Sequence, residues 1–217
     1  YQLGFNDILL KNSSYFLGTD YTAKLLIEEL KKINLDTVHK KSILNKRTNV
    51  ICEGKNNDIW IGTNFGLFKY NPKDSISDYS KNSSFLDTSI EDLFFDYENN
   101  FLLVATSSKG LVVLKNNRVV KNFNINNNLN SNTCTSIKKI KKDSYLIGSN
   151  NGLNLIDLQK NEITNLNPTI GIKNKRIKDI ETINNTSYLA TDHGVLSFEI
   201  DYLKSKFVKP KCIISAL

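Results

Sequence analysis

Residues Ile59–Asn71 read IWIGTNFGLFKYN, and how they are interpreted decides the fold. An apolar arm, Ile59-Trp60-Ile61, leads through Asn64, Phe65 and Gly66 into a second arm, Leu67-Phe68-Lys69-Tyr70. β-Branched and aromatic residues on both arms, with Asn and Gly between them, predict a β-hairpin. The pattern recurs. The Thr or Ser that closes the first arm stands at Thr19, Thr63, Thr106, Ser149 and Thr191, separated by 44, 43, 43 and 42 residues. After four of these five come Gly and an apolar residue: Gly66-Leu67, Gly110-Leu111, Gly152-Leu153 and Gly194-Val195. The first copy carries Ala23 in place of the Gly.

A further apolar run precedes each anchor, around Ile8, Ile51, Leu93, Ile137 and Ile180, and runs such as Arg118–Phe123 and Glu162–Leu166 follow the hairpins. Four short strands in a period of about 43 residues are the signature of β-propeller blades. The expected fold is therefore all-β, a β-propeller of about five four-stranded blades spanning residues 1–208. Along the chain, residues 4–30 form the first blade. Lys24–Leu30 is expected as its edge strand, although Leu25, Leu26, Leu30 and Ile33 also suit a short helix. Leu35–Thr48 reads as a polar crossover into the second blade. Phe85–Lys115 carries the third, Val119–Ile156 crosses into the fourth through Asn124–Thr133, and Asp157–Phe198 supplies the fifth. Pro210 cannot donate to a ladder and marks a boundary before the apolar run Cys212–Leu217.

The 217 residues carry a net charge of +7. Lys and Arg are spread over turns and strand exteriors, so a lysine- and asparagine-rich composition explains the charge better than nucleic-acid binding does. The longest apolar runs fall short of the roughly 18 residues of a membrane span, and Tyr1–Lys11 lacks the regions of a signal peptide. The sequence has no Met at its start or anywhere else, so it reads as a piece of a longer polypeptide. Cys52, Cys134 and Cys212 form no C-x-x-C pair, and an odd number cannot all be bridged within one chain. Cys52, in an apolar run, reads as a small buried hydrophobe. No metal or cofactor is expected.

The segment Asn49–Asn71 (NVICEGKNNDIWIGTNFGLFKYN) resembles the two-component regulator propeller repeat, found in the extracytoplasmic part of sensor histidine kinases and related bacterial regulators. Leu129–Ile137 (LNSNTCTSI) is similar to the family's passage between blades. Lys209–Leu217 (KPKCIISAL) looks like the start of the immunoglobulin-like domain that commonly follows. The resemblance covers roughly residues 4–200. It implies a periplasmic sensing domain of an inner-membrane receptor, with a membrane helix and a signalling output in segments beyond this one and dimerisation through the whole receptor. Propellers of this family usually have seven blades, so the five read here are expected to belong to a larger ring.

In a propeller the turns joining second to third strands gather on one face, where several blades can each offer a side chain. Here those turns carry Asp20, Tyr21, Asn64, Phe65, Ser108, Lys109, Asn150, Asn151, Asp192 and His193. Amides, hydroxyls and aromatic rings suit a neutral, hydroxyl-rich ligand such as an oligosaccharide, yet Asn and Asp are also good turn formers in their own right. Trp60, flanked by Ile59 and Ile61, reads as packing between blades. No glycine pair opens a phosphate-cradling loop, and no His or Cys spacing suits a metal. Glu53, Asp92 and Glu181 on inner strands, or His193 beside Asp192, are the residues a glycosidase or lyase would draw on, with nothing in the sequence bringing them to catalytic separation. The expectation is a non-enzymatic ligand sensor; a protein-interaction scaffold and a propeller enzyme are the alternatives.

Overall fold

A computed structural model of the chain describes residues 5–11, 14–19, 23–27, 39–44, 46–71, 75–172 and 175–204. These residues build five antiparallel sheets. The first joins β1 (Phe5–Lys11), β2 (Ser14–Thr19), β3 (Ala23–Ile27) and β4 (His39–Leu44) in that order. The second joins β5 (Thr48–Glu53), β6 (Ile59–Thr63), β7 (Gly66–Asn71) and β8 (Ser75–Asp78). The third joins β9 (Ile90–Asp96), β10 (Phe101–Thr106), β11 (Leu111–Lys115) and β12 (Arg118–Phe123). The fourth joins β13 (Cys134–Lys141), β14 (Ser144–Ser149), β15 (Gly152–Asp157) and β16 (Glu162–Asn165). The fifth has three strands, β17 (Ile177–Ile183), β18 (Thr186–Thr191) and β19 (Gly194–Glu199).

Each sheet is an up-and-down meander, and the first strand of each lies against the first strand of the next: β1 on β5, β5 on β9, β9 on β13, β13 on β17. This gives a propeller-like stack with the first strands innermost. From the second sheet to the fifth, a dry seam lies between each sheet and the next. Trp60 and Leu67 of the second sheet pack with Ile90, Leu93, Leu102, Val104, Val112 and Leu114 of the third. Leu103, Ala105, Leu111 and Val113 on the other face of the third sheet pack with Cys134, Ile137, Tyr145 and Ile147 of the fourth. Leu146 and Leu153 then meet Ile177, Ile180 and Leu189 of the fifth. At about 25 cal/mol per Å² of apolar area, these seams are the main source of stability.

Close approach at the seams explains two glycines. A Cβ on Gly62 would lie 2.7 Å from Ile90 Cγ2, and one on Gly148 would lie 2.8 Å from Ile177 Cγ2. At the intervening seam the same two positions are Ala105, larger than the glycine, and Cys134, smaller than the isoleucine.

All five first strands share an irregularity that the sequence does not announce. The register slips by one residue between Phe5 and Asp7, Thr48 and Val50, Ile90 and Asp92, Cys134 and Ser136, and Ile177 and Asp179. A bulge re-aims neighbouring side chains, and here it turns them toward the next sheet. Asn49 Nδ2 donates to Ile90 O at 3.0 Å and Thr135 Oγ1 to Ile177 O at 2.5 Å. In the other direction, Asp7 accepts the Ile51 N–H and Asp92 the Ile137 N–H, both at 2.7 Å, and Ser136 Oγ accepts that of Ile180 at 3.1 Å.

Several expectations are corrected. The lysine-rich stretch expected as a crossover, Leu35–Thr48, contains β4 and the first residue of β5. Its polarity reflects an outermost strand, whose far edge meets no other strand of its sheet. The described part of Lys24–Leu30 is strand, and β3 lies between β2 and β4 rather than at an edge. Blade limits also move: the third sheet runs to Phe123, the fourth spans 134–165, and the fifth begins at Ile177. Among the described residues the fifth sheet has three strands. The expected domain start at 209–217 lies outside the described residues. Among the described residues no helix is long and apolar enough to cross a membrane.

Candidate functional site

The turn between second and third strands is built by its anchor hydroxyl. Thr63 Oγ1 donates to Gly66 O at 2.9 Å and accepts the Phe65 N–H at 3.0 Å. Thr106 does the same for Gly110 and Lys109, Ser149 for Gly152 and Asn151, and Thr191 for Gly194 and His193. All four anchors are buried. The repeat's Thr or Ser is therefore a turn clamp, and the glycine three or four residues on takes a positive φ, +116° at Gly66 and +97° at Gly152.

The side chains held up by these turns serve different ends. Asn64 Oδ1 accepts from Ser89 Oγ at 3.5 Å, and Ser108 Oγ shares a hydrogen bond of 2.8 Å with Thr88. Asn151 Nδ2 donates to Asn130 O at 3.2 Å. Asp192 pairs with Lys178 at 2.9 Å, and that ammonium holds its carboxyl below the usual range. Those four side chains brace neighbouring loops. Phe65 stands 63% exposed with the Lys46 ammonium 5.1 Å above its ring. Lys109, Asn150 and His193 are exposed. Asp20 and Tyr21 lie outside the described residues. The structure thus sets the described turn residues at one end of their sheets, where Phe65, Lys109, Asn150 and His193 are exposed.

Of the residues that chemistry would need, Asp92 gives its oxygens to the Leu93 and Ile137 N–H groups. Burial pushes its carboxyl up to about 7, those two donors oppose the rise, and the charges of Asp179 and Asp7 add to it. Glu181 pairs with Lys138. Burial pushes the Cys52 and Cys134 thiols up to about 12, so both are poor nucleophiles and poor ligands. Among the described residues no group of three or more His, Cys, Asp or Glu could hold a metal ion.

The opposite end of the sheets holds a pocket that sequence reading missed. It opens at the seam between the second and third sheets and measures about 160 Å³. Trp60, Phe95, Leu102 and Leu114 form its apolar part. Lys55, Asn56, Asp58, Asn100, Asn116 and Asn117 supply the polar part, from three separate turns. Asn56, Asn100, Asn116 and Asn117 all have left-handed backbone, φ between 50° and 64°. Asparagine tolerates that region and so serves the turns at this end, whereas glycine serves those at the other. The signal for the pocket was the run of Asn pairs one turn away from the only Trp, but it becomes a site only when two sheets are packed together.

The fold has known counterparts. The chain is similar to the extracellular domain of BT3049 from B. thetaiotaomicron, assigned to a hybrid two-component system, at 18% identity and a TM-score of 0.70, covering 89% of this chain and 26% of that one. It is similar to the extracellular domain of BT4673 from the same organism, assigned to a one-component system, at 12% identity and a TM-score of 0.68, over 91% of this chain and 35% of that one. The AfRom2 CNH domain matches at 11% identity and a TM-score of 0.65, over 91% of this chain and 68% of that one. Identities this low carry the fold alone. The chain spans about a quarter to a third of the length of those two bacterial extracellular domains. No protein-family model and no curated protein matches it.

Proposed function

We propose that the chain is the extracytoplasmic, ligand-sensing part of a two-component signalling receptor, that it lies in the periplasm, and that it has no catalysis of its own. The observation that carries this reading is the fold match to extracellular domains of two bacterial signalling proteins over about nine tenths of the chain. The W-I-G-T and G-L pattern of Asn49–Asn71 supports it independently. The five sheets then belong to a larger ring, seven sheets in the family's usual form. In keeping with this, the outward face of the fifth sheet exposes Tyr188 and Val195, and Asp179 has one oxygen engaged, by Ser136 and Ile180. The ligand is a neutral oligosaccharide, and it shifts the packing between two receptor chains. Such a shift requires that the ligand bind the two packings with different affinity.

The test is a transcriptional reporter driven by the complete receptor and challenged with a panel of oligosaccharides. A response that disappears when residues 46–204 are deleted, with the receptor still reaching the membrane, is the expected result. A response that survives the deletion overturns the reading.

A further inference from the structure

We propose that the pocket between the second and third sheets binds one sugar-sized, uncharged polyhydroxy ring, with the Trp60 indole N–H as its buried donor. Trp60 is 3% exposed. A buried indole N–H ordinarily finds an acceptor, and leaving a donor unpaired carries a desolvation cost. Among the described residues this N–H has none. The rest of the ring is occupied: Tyr79 meets it edge-on, with centroids 4.9 Å apart, and the Lys69 ammonium stands 5.4 Å from its centroid. Glycine at 54 leaves the space beside this edge free of a side chain; a Cβ there would lie 2.7 Å from Nε1 and 2.9 Å from Cδ1.

The surroundings define the ligand's chemistry. Phe95 and Leu102 offer an apolar wall for the C–H side of a ring. Asn100 Nδ2 donates to Asn116 Oδ1 at 3.0 Å, which leaves an acceptor on Asn100 and donors on Asn116 for hydroxyl groups. Asp58 is satisfied by Lys69 at 3.2 Å and by Asn71 at 2.8 Å, so its charge is balanced before any ligand arrives. The volume, about 160 Å³, is well under the ~300 Å³ and more of drug-sized sites, so the pocket takes one ring and not a chain. This inference deepens the sensing reading and rests on it for its purpose. It places one sugar unit at the end of the sheets opposite the turns read from sequence.

Trp60 is the only tryptophan, so emission excited selectively at tryptophan, clear of the nine tyrosines, reports on this residue. The full chain is titrated with glucose, galactose, xylose and N-acetylglucosamine, with sodium acetate as a charged control, while calorimetry records total binding. The expected result is a saturable change in emission and reduced acrylamide quenching with at least one sugar and none with acetate. Gly54→Ala, which covers the N–H edge, weakens that binding about tenfold. Asn116→Gly keeps the left-handed backbone, removes only the amide, and weakens it too, so it decides the matter if Gly54→Ala unfolds. A sugar that binds by calorimetry without changing Trp60 emission overturns the pocket and leaves the sensing reading intact. Absence of binding to any of the four sugars overturns the pocket as well. A sugar bound at Trp60 in a receptor whose reporter stays silent upholds the pocket and overturns the sensing reading.

Discussion

The outward faces of the third and fifth sheets are the same construction in two situations. In the third sheet Leu103 pairs with Val113 and Phe94, and Ala105 pairs with Leu111 and Asp92. In the fifth, Tyr188 pairs with Ser197 and Glu181, and Ala190 pairs with Val195 and Asp179. Every register position corresponds. Leu103, Ala105, Leu111 and Val113 are wholly buried under the fourth sheet, whereas Tyr188 is 38% and Val195 70% exposed. The chemistry has diverged as well, with Glu181 standing where the third sheet has Phe94 and Ser197 where it has Val113. A seam of this propeller-like stack therefore consists of a constant backbone frame, in which the side chains decide how dry the junction is.

The largest expected effect tests that contrast directly. Leu103→Ala opens a cavity in a closed seam and costs about 2–5 kcal/mol of unfolding free energy, measured by urea denaturation of the full chain. Tyr188→Ala, at the matching register, costs less than about 1 kcal/mol, because water already reaches the ring. Equal costs would show that the fifth sheet's face is covered in solution, by a second copy or by another segment, and would break the comparison.

That contrast also shows what a sequence can and cannot disclose. The period and the hairpins were legible because the clamp needs specific residues: a hydroxyl at Thr63 or Ser149, and a residue free to take positive φ at Gly66 or Gly152. The bulge in every first strand was not, because the extra position is filled by residues as different as Asn6, Asn49, Glu91, Thr135 and Lys178. What it requires is a backbone path, not a side-chain type. β4 was missed because HKKSIL is polar where the other strands are apolar. The turn residues were legible as turns, but whether Asn64 faces a ligand or braces Ser89 depends on the neighbouring sheet. The pocket at Trp60 combines three turns with strands of two sheets, and no spacing along the chain encodes that meeting.

A second, smaller effect lies at the other end of the closed seam between the third and fourth sheets. Burial alone would raise the Asp96 carboxyl, but the Tyr145 hydroxyl, the Lys139 ammonium and the Asn99 amide outweigh it and hold it down at about 2. A carboxyl depressed from 3.8 to about 2 contributes about 2 kcal/mol of stability. That contribution is present above about pH 4 and is lost as the pH falls through 2. Asp96→Asn is therefore expected to destabilise the chain at neutral pH and to flatten its acid-unfolding profile between pH 4 and 2, followed by circular dichroism. The fifth sheet has Ile183 at the matching position, so its free face should contribute nothing to that profile. An unchanged profile in Asp96→Asn would assign the acid sensitivity to other carboxylates.

The smallest effect joins the two regions through Asp92, which feels the charges of Asp179 and Asp7 on top of its own burial. Its carboxyl is raised to about 7, so the stability it contributes is complete below about pH 4 and is lost as the pH rises through 7. Asp179→Asn removes one negative neighbour, so Asp92 should titrate lower by less than about one unit, and the loss of stability should still begin near pH 4 but end at a lower pH and reach a smaller total. Asp7→Asn removes a comparable charge but also disturbs the acceptor of the Ile51 N–H, so it should destabilise the seam between the first and second sheets at every pH. Carboxyl titration by NMR, combined with unfolding at several pH values, separates the two. If Asp179 carries only a charge toward Asp92, its variant moves the titration with little change in stability at pH 4. If its unengaged oxygen already accepts an N–H from a covering sheet, as Asp92 does from Ile137, the variant loses stability at pH 4 as well. In that case the fifth sheet's outward face is a seam like the others.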